Sequence, residues 1–369
     1  MAPPGSALQT IALDATLWDE PITGIGLYTH QLYGALRREG VQVERWGARR
    51  SGELPRGSWS RTTWTLGRLP GLLEERRPSL YHALANFNLP LQRVPGVPFV
   101  LTVHDLVPLL LPQTVSTPFR WQFRLWLARS LAAAEKVILV SETARASVLE
   151  RFDVAPEKLT VIHHGVDHVE TVAPPDATTV KWLDALGLPD PFVLYAGALD
   201  ARKNVELLLD ACERLHRGGL SPTLVLAGQR WFGGGAVEQR VQQLKERGLD
   251  IRPLGYLADT VFYALMKRAG VFVFPSRYEG FGLPPLEAMK LGVPTVVSTE
   301  GSLPEVCGDG ALQVGPDDAD GLAATLNRLL TDAKVRGELA AKGRARADGF
   351  TWKRAAAKTL EVYRAAAAG

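Results

Sequence analysis

Cysteine is almost missing: Cys212 and Cys307 are the only two in 369 residues. A disulfide framework is thereby excluded as the source of stability, and with no other mark of export the expected compartment is the cytoplasm. Long apolar runs are lacking as well; the nearest, Leu106 to Pro112, is interrupted by Pro108 and falls far short of a membrane span. The opening MAPPGSALQT has no basic cluster ahead of an apolar segment, so no signal peptide is read there. Net charge is only +3, which gives no general case for nucleic acid as a partner. The remaining composition, 46% hydrophobic and 22% charged, is that of an aqueous globular protein whose length suits two domains.

Charge is nevertheless uneven. Ten arginines fall between Arg37 and Arg77, interleaved with Trp46, Trp59 and Trp64. Such a stretch reads either as a basic, aromatic surface for anionic lipid or an acidic acceptor, or as a solvated face whose tryptophans enter the core.

The most informative stretch is Ser276 to Leu291, SRYEGFGLPPLEAMKL. Val271 to Pro275 leads into it as a buried strand. Gly280 and Gly282 then allow a tight turn and close approach to a ligand, and Pro284 and Pro285 mark the start of a helix. The N–H groups at Gly282 and Leu283 therefore stand at the positive end of that helix, a position suited to phosphate. Glu279 and Glu287, spaced as E-x7-E, suit sugar hydroxyls, which an ionised carboxylate accepts strongly. Taken singly, Glu287 reads more readily as a solvated helix residue and Glu279 as a loop charge; the whole stretch together carries the ligand reading.

Taken in order, the chain alternates strands and helices. Thr10 to Asp14 is a strand followed by a glycine loop at Thr23 to Tyr28, with Gly24 and Gly26, and then a helix; a third glycine is missing, which weakens a nicotinamide-cofactor reading. Pro98 to Val103 is a strand ending in His104, on the edge where open α/β sheets bind ligands. Phe119 to Leu131, apolar all round with Arg120, Arg124 and Arg129 along one side, reads as a core-packed helix, with membrane contact the lesser reading. His163 and His164 point to opposite sides of an extended chain, so no zinc site is expected. Val172 to Pro175 reads as an interdomain linker.

The pattern restarts at Phe192. After that strand, Arg202 and Lys203 stand at the head of a helix, where adjacent cations suit a diphosphate. Ser302 to Glu305 has the S-x-x-E spacing of a capping box, and Asp318 reads as a helix cap rather than a metal ligand. Two such halves suggest an α/β protein of two Rossmann-like domains around a cleft. The boundaries read as 1–171, 172–350 and a C-terminal helix, 351–369, packing back on the first domain.

With TGIGLYT, TVHDLVPL, LVSETAR, the GVD at Gly165 to Asp167, ARKN and PSRYEGFGLPPLEAMKLGVPTVVSTEGSLPEV, the chain resembles the retaining glycosyltransferases of family 4, also described as glycosyl transferases group 1. That resemblance implies the GT-B fold, with two Rossmann-like domains facing each other across a cleft. It implies that Glu279 and His104 act on the donor sugar, that Glu287 contacts the nucleotide ribose, and that Arg202, Lys203 and the backbone of Gly280, Phe281, Gly282 and Leu283 hold the diphosphate. Gly24 and Gly26 match the loop that closes over the donor. Ala198 and Leu27 stand where many members carry arginine.

The expected reaction is metal-independent transfer of a hexose, with retention, from a nucleotide-sugar to a saccharide or lipid-linked saccharide in cell-surface polysaccharide or glycolipid biosynthesis. GDP-mannose as donor follows from the resemblance of HDLVPL and SLPEV to mannosyl-transferring members. A nucleotide-sugar epimerase and a non-catalytic sugar-nucleotide-binding module are the alternatives. Contact with the inner face of the membrane is expected to be peripheral, and no oligomeric state is implied.

Overall fold

The computed structural model describes residues 10–18, 24–47, 58–86, 88–228 and 234–368. The chain forms two units. The first runs to Gly165 and takes up the chain again from Thr351; the second is Val166–Phe350. The break thus precedes the boundary read at 171/172, because the turn Asp167–Glu170 buries His168 and Val169 within the second unit.

The first unit is a parallel sheet of β1 (Ile11–Asp14), β2 (Val43–Trp46), β3 (Leu80–Ala83), β4 (Phe99–Val103), β5 (Lys136–Leu139) and β6 (Leu159–Val161), in the order β2-β1-β3-β4-β5-β6. β1, β3 and β4 are buried along their whole length, as expected for strands covered on both faces. On one face α1 (Gly24–Arg38) packs with the C-terminal helix (Trp352–Ala368), through Leu32, Leu36, Trp352 and Tyr363. On the other lie α2 (Thr117–Ala133) and α3 (Glu142–Arg151), through Phe123, Leu127 and Val148. Ser141 caps α3, accepting from the Ala144 N–H at 3.0 Å.

A buried polar chain ties the elements of the first face together. Tyr363 Oη lies 2.7 Å from His82 Nδ1, His82 Nε2 2.8 Å from Thr102 Oγ1, and Thr102 Oγ1 3.0 Å from Tyr28 Oη. Each buried group is satisfied by the next, which fixes how the C-terminal helix docks. Gly165 is required where it stands, since a Cβ there would be 2.2 Å from the Trp352 N.

Two expectations change in this unit. Gly24 and Gly26 belong to the first turn of α1 rather than to a loop; Thr23 lies outside the described residues. Helix α2 is not core-packed all round: Phe123, Leu127, Ser130 and Leu131 are buried, but Trp121 and Leu125 are exposed. In the arginine-rich stretch the second reading holds for Trp46 and Trp64, which are buried in the core. Arg49, Arg50, Arg56 and the Trp59 side chain lie outside the described residues.

The second unit repeats the design with β7 (Val193–Ala196), β8 (Leu224–Ala227), β9 (Ile251–Gly255), β10 (Val271–Phe274), β11 (Thr295–Ser298) and β12 (Leu312–Val314), all parallel, in the order β12-β11-β10-β7-β8-β9. Helices α4 (Val205–Arg217), α5 (Asp259–Arg268), α6 (Leu283–Lys290), α7 (Ala319–Thr331) and α8 (Ala333–Ala347) follow the strands. Strand order reverses between β7 and β10, so the chain leaves those neighbours in opposite directions and opens a crevice at their carboxyl ends. Among the described residues no helix is long and apolar enough to cross a membrane.

Candidate active site

The crevice of the second unit is lined by the segments that follow β7 and β10. After β7, Asp200 caps the short turn Ala201–Lys203 by accepting the Lys203 N–H at 2.9 Å. Asn204 then takes a left-handed conformation, φ 54°, and its amide donates to the Pro275 and Pro316 carbonyls at 3.2 and 2.7 Å. Those bonds lock the head of α4 against the end of β10, so Arg202 and Lys203 are delivered to one place. After β10, Gly282 sits at φ 95° as the N-cap of α6, with proline in the first turn. Pro284 and Pro285 carry no N–H, so in the first turn of α6 the Leu283 N–H is the donor without a partner inside the helix, at the positive end of its dipole.

Glu279 is held between the two cations. Its Oε1 accepts from Lys203 Nζ at 2.7 Å and from Arg202 Nη1 at 2.8 Å. Burial works to raise the Glu279 carboxyl, but the charges of Lys203 and Arg202 outweigh it and hold the pKa below the ordinary carboxylate range. Burial lowers the Lys203 ammonium, an effect that Glu279 partly offsets. Lys203 Nζ also lies 4.5 Å over the Phe274 ring. Arg202 Nη2 also lies 4.0 Å from Asp200 Oδ2, so the result is a preformed cation pair shared with two carboxylates, beside a helix N-terminus.

The loop carrying Glu279 is held from behind. Ser302 Oγ lies 3.0 Å from the Glu279 carbonyl and 2.9 Å from that of Phe281, and its N–H donates to the Glu279 carbonyl at 3.2 Å. The capping-box reading of Ser302 is thereby corrected: its hydroxyl makes no cap bond, because these loop carbonyls take it. Gly301, at φ 60°, allows the close approach; a Cβ there would stand 2.8 Å from the Glu279 N and 2.9 Å from its O. Asp318, by contrast, does cap α7, accepting the Gly321 N–H at 2.7 Å.

Glu287 is only 4% exposed. Its Oε1 accepts from Tyr263 Oη and from His168 Nε2, each at 3.1 Å. A buried carboxylate needs such donors, and two of them leave its remaining lone pairs to a ligand. Burial, then repulsion from Glu287, raises the carboxyl of nearby Asp259.

In the first unit His104 follows β4 and is buried. Its N–H donates to Asn86 Oδ1 at 2.8 Å, and Nε2 donates to the Leu84 carbonyl at the same distance. That bond places the proton on Nε2 and leaves Nδ1 as an acceptor. Burial depresses the imidazole pKa to about 4, so His104 is neutral at physiological pH. At the ends of β1 and β3, Asn88 donates to Asp14 Oδ2 at 2.6 Å and to Thr16 Oγ1 at 3.0 Å, and burial raises the Asp14 carboxyl.

Arg202, Lys203, Glu279, Gly280, Phe281, Gly282, Leu283 and Glu287 therefore share one edge of the second unit, whereas His104, Gly24 and Gly26 belong to the first. Sequence reasoning passed over His168, Tyr263 and Gly301, and read Ser302 only as a helix cap. Only Gly301-Ser302 carried a local signal, a glycine and a hydroxyl directly after a buried strand at the ligand edge.

The comparisons agree with this architecture. The family described as Glycosyltransferase Family 4 matches residues 22–170, and Glycosyl transferases group 1 matches residues 181–346. The O-antigen chain mannosyltransferase B of Escherichia coli is 32% identical over 297 residues, 79% of this chain and 76% of that protein. The glycogen synthase of Mycobacterium tuberculosis is 32% identical over 311 residues, 79% of this chain and 70% of that one. Sucrose-phosphate synthase from Thermosynechococcus elongatus shares the fold, with a TM-score of 0.74 at 23% identity, over 96% of this chain and 98% of that structure. With family matches in both halves of the chain and a crevice at the strand-order reversal of its second unit, the protein is a glycosyltransferase of GT-B fold belonging to family 4, the glycosyl transferases group 1.

Proposed function

We propose that the protein transfers a hexose with retention from a nucleotide-sugar, GDP-mannose, to a saccharide acceptor, free or lipid-linked, in cell-surface polysaccharide or glycolipid assembly in the cytoplasm. The observation that carries this reading is the Arg202–Lys203–Glu279 cluster beside the α6 N-terminus. The mannose assignment draws on the relative named as a mannosyltransferase.

In the proposed reaction the bond from the anomeric carbon to the diphosphate oxygen breaks and the diphosphate leaves with the electron pair. Lys203, Arg202 and the α6 dipole stabilise the charge that develops there, supplying what a divalent cation would otherwise provide, so no metal is required. The acceptor oxygen bonds the anomeric carbon from the same face, and its proton passes to the leaving phosphate. Glu279 and the Nδ1 of His104 accept sugar hydroxyls, Glu287 accepts the ribose hydroxyls, and the first turn of α1, with Gly24 and Gly26, meets the donor. No covalent nucleophile is invoked.

Transfer from GDP-mannose to mannosides tests the reading, with the anomeric configuration of the product determined by NMR and Lys203→Ala as the comparison. Retention with at least about a hundredfold loss in Lys203→Ala is expected. Undiminished transfer by that variant would remove the diphosphate assignment.

A further inference from the structure

Helix α2 buries Phe123, Leu127, Ser130 and Leu131 against the first unit. A helix lying on a surface should turn polar residues outward, yet the opposite side of α2 does not. Trp121 is 55% exposed and Leu125 66%, and Ala128 and Ala132 continue the same stripe along the helix. Phe119, 42% exposed, stands at the helix start. Leu91, 43% exposed, lies alongside, because its carbonyl accepts from Arg129 at 2.9 Å. Four of the six large hydrophobic side chains exposed among the described residues are thus gathered on α2 and its neighbour Leu91.

The stripe is bordered by arginine. Arg124 falls on one side of it and Arg129 on the other, Arg120 stands at the amino end, and α2 contains no acidic residue. We propose that this face of α2 seats the protein on an anionic membrane surface, with Trp121 and Leu125 entering the headgroup layer and the arginines meeting lipid phosphates. A tryptophan and a leucine at the centre with cations at the rim is the pattern of an interfacial helix, whose arginine stems lie along apolar surface while their heads stay at the phosphates. Charge disfavours a second copy as the occupant. An isologous pairing through this stripe would set Arg124 and Arg129 of two chains together with no carboxylate of the helix to separate them. The proposal is independent of the donor assignment, since its readout is binding rather than transfer.

The test is co-sedimentation of the full chain with vesicles of phosphatidylcholine alone or mixed with phosphatidylglycerol, at low and high salt. The wild type is expected to bind the anionic vesicles and to be released by salt. Trp121→Ser with Leu125→Ser should weaken binding by about tenfold or more with an unchanged melting temperature, as both side chains are exposed. Arg124→Gln with Arg129→Gln should weaken it about fivefold per charge and flatten the salt dependence. Wild type left in the supernatant with anionic vesicles, or a double serine variant that binds as well as wild type, would overturn the proposal. So would a wild-type dimer in sedimentation velocity that the serine variant converts to monomer, an outcome that gives the face to a second copy.

Discussion

Glu279→Gln should separate binding of the leaving group from transfer of the sugar. Glu279 Oε1 lies 2.7 Å from Lys203 Nζ and 2.8 Å from Arg202 Nη1. A phosphate oxygen held by the same two cations at about 3 Å would come within about 5–6 Å of that carboxylate. Two negative charges at such a distance repel by about 3 kcal/mol at an effective dielectric of about 20. Because the Arg202 side chain retains 21% exposure, solvent access reduces this to about 1–1.5 kcal/mol. The glutamine variant should therefore bind GDP about tenfold more tightly by isothermal titration calorimetry. It also loses a charge-assisted hydrogen bond to the sugar worth about 1.5–3 kcal/mol; because the relieved repulsion acts on the diphosphate in the transition state as well, the net loss in kcat/KM for transfer should be up to about thirtyfold. GDP bound no more tightly by Glu279→Gln than by wild type would refute the reasoning, because the carboxylate would then serve to hold the cations in place rather than to oppose the phosphate.

Tyr263→Phe removes one of the two donors to Glu287, and KM for the nucleotide-sugar should rise about five- to tenfold with kcat nearly unchanged. With a donor lacking both ribose hydroxyls, wild type and variant should become equal; a persisting difference would detach Tyr263 from ribose recognition. Gly301→Ala drives a Cβ into the Glu279 backbone at a positive φ, and transfer should drop by at least about tenfold while far-UV circular dichroism stays native. His82 and His104 are buried with pKa values lowered to about 3 and about 4, below their unfolded values. Their neutral forms stabilise the fold fully above about pH 6.5, and that stability is lost as pH falls toward the folded values, at about 1.4 kcal/mol per pH unit for each histidine. Urea unfolding of wild type and His82→Gln between pH 8 and pH 5 should show the shallower slope in the variant.

Legibility in the sequence followed the range of the interactions. The passage from β10 through Gly282 to α6 is written in residues that are neighbours in the chain: a β-branched and aromatic strand, glycines for the turn, and prolines at the helix start. Arg202 and Lys203 were legible for the same reason, because they sit one turn from a strand end. Their pairing with Glu279 was not, since the partners are 77 and 76 positions apart. The Glu287 clamp spans 119 positions to His168 and 24 to Tyr263, and neither partner bears a local mark of its task. Ser302 was misread because S-x-x-E has the same spacing whether the hydroxyl caps its own helix or reaches back to another loop. Helix α2 failed for a different reason: apolar residues all round describe both a helix within a core and one whose second apolar face awaits a partner.

The measurement that bears most directly on the central claim is the melting temperature of the wild type across GDP, GDP-mannose, UDP, UDP-glucose and ADP, with and without EDTA. Ligand present at about a hundred times its Kd adds about 2.7 kcal/mol of stability, a rise on the order of 5 °C. A rise with GDP and GDP-mannose that EDTA leaves intact is the predicted result. No rise with any nucleotide would contradict the assignment of Arg202, Lys203, Glu279 and the α6 N-terminus to a nucleotide-sugar.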